Sequence, residues 1–176
     1  MMKEVFVTFA KYNEEADKAV VSILDKLSND DREKNRKSYY GSLSSLARHV
    51  LGGTVFFLGL FKDALSKNAA AQKAIASLAK VELVKEKKIT EDQWKKVVAG
   101  LKIADKAYVD FTAALSDKDL ETPVKIDWFK GKSDVPLSFM LENLIAHGTH
   151  HRGQISQILD SLKIDNDFSG VNPKFI

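Results

Sequence analysis

An all-α fold, a four-helix bundle, is what this sequence predicts, and three observations predict it. Four long segments carry apolar residues at three- and four-residue steps, the spacing of one helix face. No proline stands before Pro123, so nothing in the first two-thirds of the chain interrupts a helix. No stretch of the 176 residues is rich enough in Pro, Gly or Ser to act as a linker, and residues 1–176 read as one domain. Four amphipathic stripes bury one another most simply as a bundle.

Each element has its own signal. The first helix is expected from Lys3 to Leu27, with Phe6, Phe9, Ala16, Val20, Ile23, Leu24 and Leu27 on its stripe; Asn29-Asp30-Asp31 then breaks it. The second is expected from Ser42 to Ser66, with Leu46, His49, Val50, Gly53, Phe56, Phe57 and Leu60 facing inward. Gly52-Gly53 inside it costs about 1 kcal/mol per residue relative to alanine, which points to a close packing contact there. Ala69–Lys80 reads as a short extra helix or ordered crossover.

The third helix starts at a capping box, Thr90-Glu91-Asp92-Gln93, and its stripe is Trp94, Val97, Val98, Leu101, Ala104, Tyr108, Phe111 and Leu115. Between it and the fourth, Thr122 to Lys132 alternates around Val124, Ile126 and Trp128 before Lys-Gly, as a short hairpin or loop insertion would. The fourth helix is expected from Pro136, in its first turn, to Leu162, with Met140, Leu144, His147, His151, Ile155, Ile158 and Leu162 inward. Phe168, Val171, Phe175 and Ile176 give the irregular tail something to dock with.

Composition excludes several function classes. The 27 Lys+Arg against 24 Asp+Glu leave a net charge of +3, and the basic runs Arg32–Lys37 and Lys85–Lys88 contain Glu and read as solvated surface. Duplex binding needs a concentrated basic face, so no nucleic-acid partner is expected. The longest apolar run, Val50–Phe61, is shorter than the roughly twenty residues a bilayer span needs. The start lacks the apolar core of a signal peptide. No membrane partner is therefore expected, and the expected location is cytoplasmic. With no cysteine in the chain, disulfides, zinc–thiolate sites and cysteine nucleophiles are excluded.

The four histidines carry the chemistry. His147 and His151 are four apart, which sets two imidazoles on one helix face about 6 Å apart along the axis, a spacing by which one helix can offer two nitrogens to one ion. Both lie on the inward stripe, and His49 lies on the inward stripe of the second helix. Buried imidazoles need a partner for each nitrogen, and three near one end of a bundle are reconciled most easily by a metal. Three separate hydrogen-bonded core histidines are the competing reading. His150 projects about 100° from His151 and falls off that face.

Tyr12-Asn13, the segment Ser42 to His49 and above all His147-Gly148-Thr149-His150-His151-Arg152-Gly153-Gln154 resemble the DinB family over nearly the whole chain. The resemblance implies an up-down-down-up four-helix bundle, a homodimer, and a divalent metal on His49, His147 and His151. Many members carry a further histidine four positions before the first motif histidine, where this chain has Asn143. Arg152 is expected in an exposed structural salt bridge or, as the alternative, against a substrate anion, Gly153 at a close helix approach, and Gln154 either behind the metal or on the surface. Glu142 is expected on the surface, so no general base is assigned and the catalytic residues stay unknown.

Three neutral imidazoles leave a metal with an open position, the arrangement of a catalytic site. Zinc or nickel is expected first, then iron. A water at the open position would make a hydrolase, whereas the resemblance implies a thiol-dependent transferase or isomerase acting on a small-molecule substrate. A low-molecular-weight thiol would be its co-substrate, since the chain can supply none. The alternative is a non-catalytic dimeric bundle that binds a metal or small ligand in a stress response.

Overall fold

The structure is a computed structural model that describes residues 2–128, 131 and 134–175. Six α-helices and one two-stranded sheet are present among them. The first helix, α1 (Met2–Leu24), ends three residues before the expected Leu27. Asn29-Asp30-Asp31 does not simply break it but opens a second helix, α2 (Asn29–Glu33). The physical reason is that small polar residues which end one helix also start another: the Ser28 hydroxyl accepts from the Asp31 N–H at 3.1 Å, and Asp30 and Asp31 lie in the positive first turn.

Arg32, expected in solvent, is buried. It donates to the Leu24 and Leu27 carbonyls at the turn that follows α1, and pairs with Glu91. Its guanidinium also lies over the Trp94 ring, 5.1 Å from the centroid.

Helix α3 (Leu43–Ala64) starts at Ser42, whose hydroxyl accepts from the Ser45 N–H at 3.1 Å. It packs against three later helices, so its buried arc is wider than the expected stripe and includes Leu51, Leu58 and Phe61. Phe56, expected inside, is 52% exposed at the edge of that arc. By length and composition α3 is apolar enough to cross a membrane, which the shorter run Val50–Phe61 had not suggested. Its leucines and Phe61 instead fill the core.

The short helix α4 (Ala69–Ile75) and a 3-10 turn at Ala76–Lys80 form the crossover, capped by Asn68. Helix α5 (Glu91–Ala114) begins with the capping box: Gln93 N–H donates to the Thr90 hydroxyl, and Thr90 N–H donates to the Gln93 side chain at 2.9 Å. The hairpin pairs β1 (Pro123–Lys125) with β2 (Asp134–Pro136), Val124 opposite Val135. Phe129, Lys130 and Lys132 of the expected insertion lie outside the described residues. Pro136 ends β2 and caps α6 (Leu137–Ser161), one residue ahead of the expected first turn.

Helix α1 packs against α5 and α6, and α3 against the same two. Leu51 fills the space beside Gly100, Phe61 stacks on Phe111 with centroids 5.6 Å apart, and Trp94 Nε1 donates to Asp25 at 2.7 Å. In the tail, Phe168 and Phe175 are buried and Tyr12 donates to the Phe168 carbonyl, whereas Val171 is exposed.

Candidate metal centre

Helices α3 and α6 bring the predicted histidines to one point. One ring nitrogen from each of His49, His147 and His151 lies within 4.8 Å of the others. His49 Nε2 and His147 Nε2 are 3.0 Å apart, and the ring centroids are separated by 4.4 to 4.8 Å. The His147–His151 pair results from one helical turn. Convergence with His49 depends on a glycine: a Cβ at Gly53 would overlap the His147 ring, with Nδ1 at 2.8 Å and Nε2 at 2.9 Å. Gly53 therefore explains its own cost in the helix, while a Cβ at Gly52 would meet nothing. Gly153, expected at a close approach, faces open space; that role belongs to Gly148, which lies against Asn13 and Arg152.

Electrostatics keep the rings neutral. Burial, then the neighbouring imidazoles, push His147 down to about 4. Burial and His151 lower His49. Burial lowers His151 also, against a hydrogen bond from Nδ1 to the Gln154 side-chain oxygen at 2.8 Å that works the other way. Since that oxygen is an acceptor, the bond puts the His151 proton on Nδ1 and turns a bare Nε2 away from it. Gln154 thus stands behind the cluster rather than on the surface.

Several neighbours complete the site. Phe57 lies 6.1 Å from His147, centroid to centroid. Tyr40, which no helical period singles out because it precedes α3 in a loop, stacks on His49 at 4.2 Å and brings its hydroxyl to 2.9 Å from Nε2. His150 is exposed, as its angle on the helix predicts, and Glu142 is exposed. Asn143 donates to its own helix, at the Phe139 carbonyl, 2.8 Å away. No carboxylate joins the cluster among the described residues.

Arg152 corrects the sequence reading most sharply. It is 2% exposed, not on the surface, and its Nη1 donates to Asn13 Oδ1 at 2.7 Å and Asp17 Oδ1 at 2.9 Å. Asn13 Nδ2 in turn donates to Asp105 Oδ1 at 3.0 Å. Burial and the Asp17 charge raise Asp105 well above the usual carboxyl range; burial raises Asp17, with Arg152 opposing it. Of the two carboxyls, Asp105 is the one whose charged form burial and its neighbour disfavour more strongly. Sequence reading missed both aspartates, although each interrupts an apolar face, Asp17 beside Ala16 and Asp105 beside Ala104, and a polar residue there demands a partner.

The residues fit a divalent ion. Three uncharged imidazoles are the donor set, and His147 Nδ1 is buried with no hydrogen-bond partner among the described residues. Two nitrogens on one tetrahedral zinc stand about 3.3 Å apart, given zinc–nitrogen distances of about 2.0–2.1 Å, close to the 3.0 Å between His49 and His147. Along α3 the face of His49 and Gly53 continues to Phe56 and Leu60, which line a cleft of about 710 Å³ with Lys125 and Trp128.

Against known families, the sequence profile of the DinB family matches residues 1–162. No curated protein matches the chain.

Proposed function

The chain belongs to the DinB family, and from that premise we propose that it is a divalent-metal-dependent enzyme with His49, His147 and His151 as ligands. The observation that carries the reading is the convergence of three neutral imidazoles with no carboxylate among them. Such a set leaves the ion's charge uncompensated and a coordination position open. A divalent ion held there supplies a Lewis acid that lowers the pKa of a water or thiol at the open position.

The chain's own residues do the rest. Gln154 holds His151 with its free nitrogen inward, Gly53 leaves room for His147, and Phe57 helps keep water from that ring. The Phe56–Trp128 pair, 5.6 Å between centroids, offers a small substrate an aromatic wall on the same face of α3. The reaction class is thiol transfer or isomerisation with a borrowed thiol, or hydrolysis. Zinc or nickel is the first choice of ion, then iron.

The fold and assembly belong to the same reading. Leu51 beside Gly100 and Phe61 on Phe111 support α3 and α5 running the same way. Asn13 against Asp105, and Trp94 against Asp25, support α1 running opposite to α5. His49 and Gly53 against His151 and His147 support α3 opposite α6. Together they support an up-down-down-up bundle. A homodimer is supported by Met2 and Val5, exposed on α1 beside a largely apolar cleft against α6.

Elemental analysis of untagged protein purified without chelator tests the metal. One equivalent of a divalent metal per chain, lost in His49→Ala and His151→Ala, is expected. Metal-free protein of native stability overturns the reading. A screen of thiols against electrophiles then reads turnover that disappears with the same substitutions.

A further inference from the structure

Tyr40 stands in the histidine cluster without belonging to either helix that builds it. It occupies a two-residue turn between Ser38 and Gly41, closed by Gly41 N–H donating to the Ser38 carbonyl at 3.0 Å and Arg36 N–H donating to the Gly41 carbonyl at 2.6 Å. Gly41 has φ +80°, a backbone region that favours glycine. The turn sends its two tyrosines opposite ways. Tyr39 is 92% exposed, whereas Tyr40 lies over His49 with the rings 29° apart and meets His151 edge-on at 5.2 Å.

The hydroxyl is aimed at one atom. Tyr40 Oη is 2.9 Å from His49 Nε2, the same nitrogen that lies 3.0 Å from His147 Nε2. An imidazole nitrogen has one lone pair in the ring plane. With that lone pair on an ion, the nitrogen cannot accept from Tyr40. The ring stack still holds the phenol in place, so the O–H then points beside the ion with no acceptor at His49. Losing a partner leaves such a donor unsatisfied, and an acceptor atom at the ion's open position restores the bond.

His150 meets His151 edge-on, 4.8 Å between centroids, but is exposed. Gln154 is engaged with His151, Asn143 donates to its own helix, and no carboxylate joins the cluster. We propose, resting on the metal reading above, that the Tyr40 hydroxyl is the hydrogen-bond donor that holds an anionic atom of the substrate, a thiolate or hydroxide, at the open position. Tyr40 is thereby a substrate-binding residue rather than a metal ligand.

Cobalt(II)-loaded protein and azide, a small anion that enters open positions, test this through the visible absorption of the cobalt. Tyr40→Phe keeps the ring stack and removes only the hydroxyl. Its cobalt affinity and azide-free spectrum are expected to match those of the unaltered chain, with azide binding about tenfold weaker, the loss of one hydrogen bond to a charged acceptor. Tyr39→Phe is expected to change neither. Equal azide affinity in Tyr40→Phe overturns the proposal. So does a changed azide-free spectrum with weakened cobalt binding, because the hydroxyl is then a direct ligand. Failure of the unaltered chain to take up cobalt overturns the metal reading and this one together, whereas cobalt uptake indifferent to the hydroxyl overturns this one alone.

Discussion

The smallest residue at the site does the most to shape it. Gly53 has no side chain because His147 occupies the space where a Cβ would stand. Gly53→Ala gains helix propensity but forces the ring aside, at about 1–3 kcal/mol of overpacking. Chelator competition should show metal affinity about tenfold to a hundredfold lower, with helix content by circular dichroism unchanged. Gln154→Leu removes the acceptor that sets the His151 proton, and an outer partner of a ligand histidine is worth about 10–100-fold in affinity by the same competition. The histidine pair on α6 was legible because its spacing and stripe are local. Tyr40 was not, because a loop residue's neighbours are fixed by chain segments far away in sequence.

At the level of elements, helix starts were readable and helix partners were not. Thr90 and Gln93 satisfy each other within three residues, and their box is visible in the bare sequence. Thr90→Ala should cost about 1 kcal/mol in urea unfolding. Arg32 and Arg152 looked like surface cations because their partners, Leu24, Glu91, Asn13 and Asp17, sit on other elements or across a turn. The carboxyl pair joining α1 to α5 carries a pH signature. Asp105 has a folded-state pKa above its unfolded value near 3.8. Its contribution is therefore fully present below the unfolded value and is lost as pH rises through the raised one. Asp105→Asn mimics the protonated acid, so the unfolding free energy of the unaltered chain relative to Asp105→Asn should fall as pH rises across that window. A pH-independent difference contradicts a raised Asp105 pKa.

For the molecule as a whole, an ion that binds only the folded chain adds RT ln(1 + [L]/Kd), about 4 kcal/mol at a thousandfold excess over Kd. For a chain of 176 residues each kcal/mol is worth about 2–4 °C. Scanning calorimetry should show zinc or nickel raising Tm by roughly 10 °C and a chelator reversing it, with His49→Ala unresponsive. All-α character was evident from apolar periodicity and the late first proline. The width of the α3 buried arc was not, because it depends on how many helices pack against α3, which periodicity in one segment does not encode.

The quartet Asn13, Asp17, Asp105 and Arg152 has a consequence for how α1, α5 and α6 are indexed along their axes. Apolar ridges tolerate a slide of one turn, since leucine meets leucine again about 5.4 Å farther on. The quartet does not: that slide would strand a guanidinium and a carboxylate in hydrocarbon, at about 3–5 kcal/mol for a broken buried pair. It acts as a detent with a single notch. Arg152 follows His151 directly in sequence, so the notch that fixes α6 against α1 also sets the height at which the imidazoles of α6 face α3.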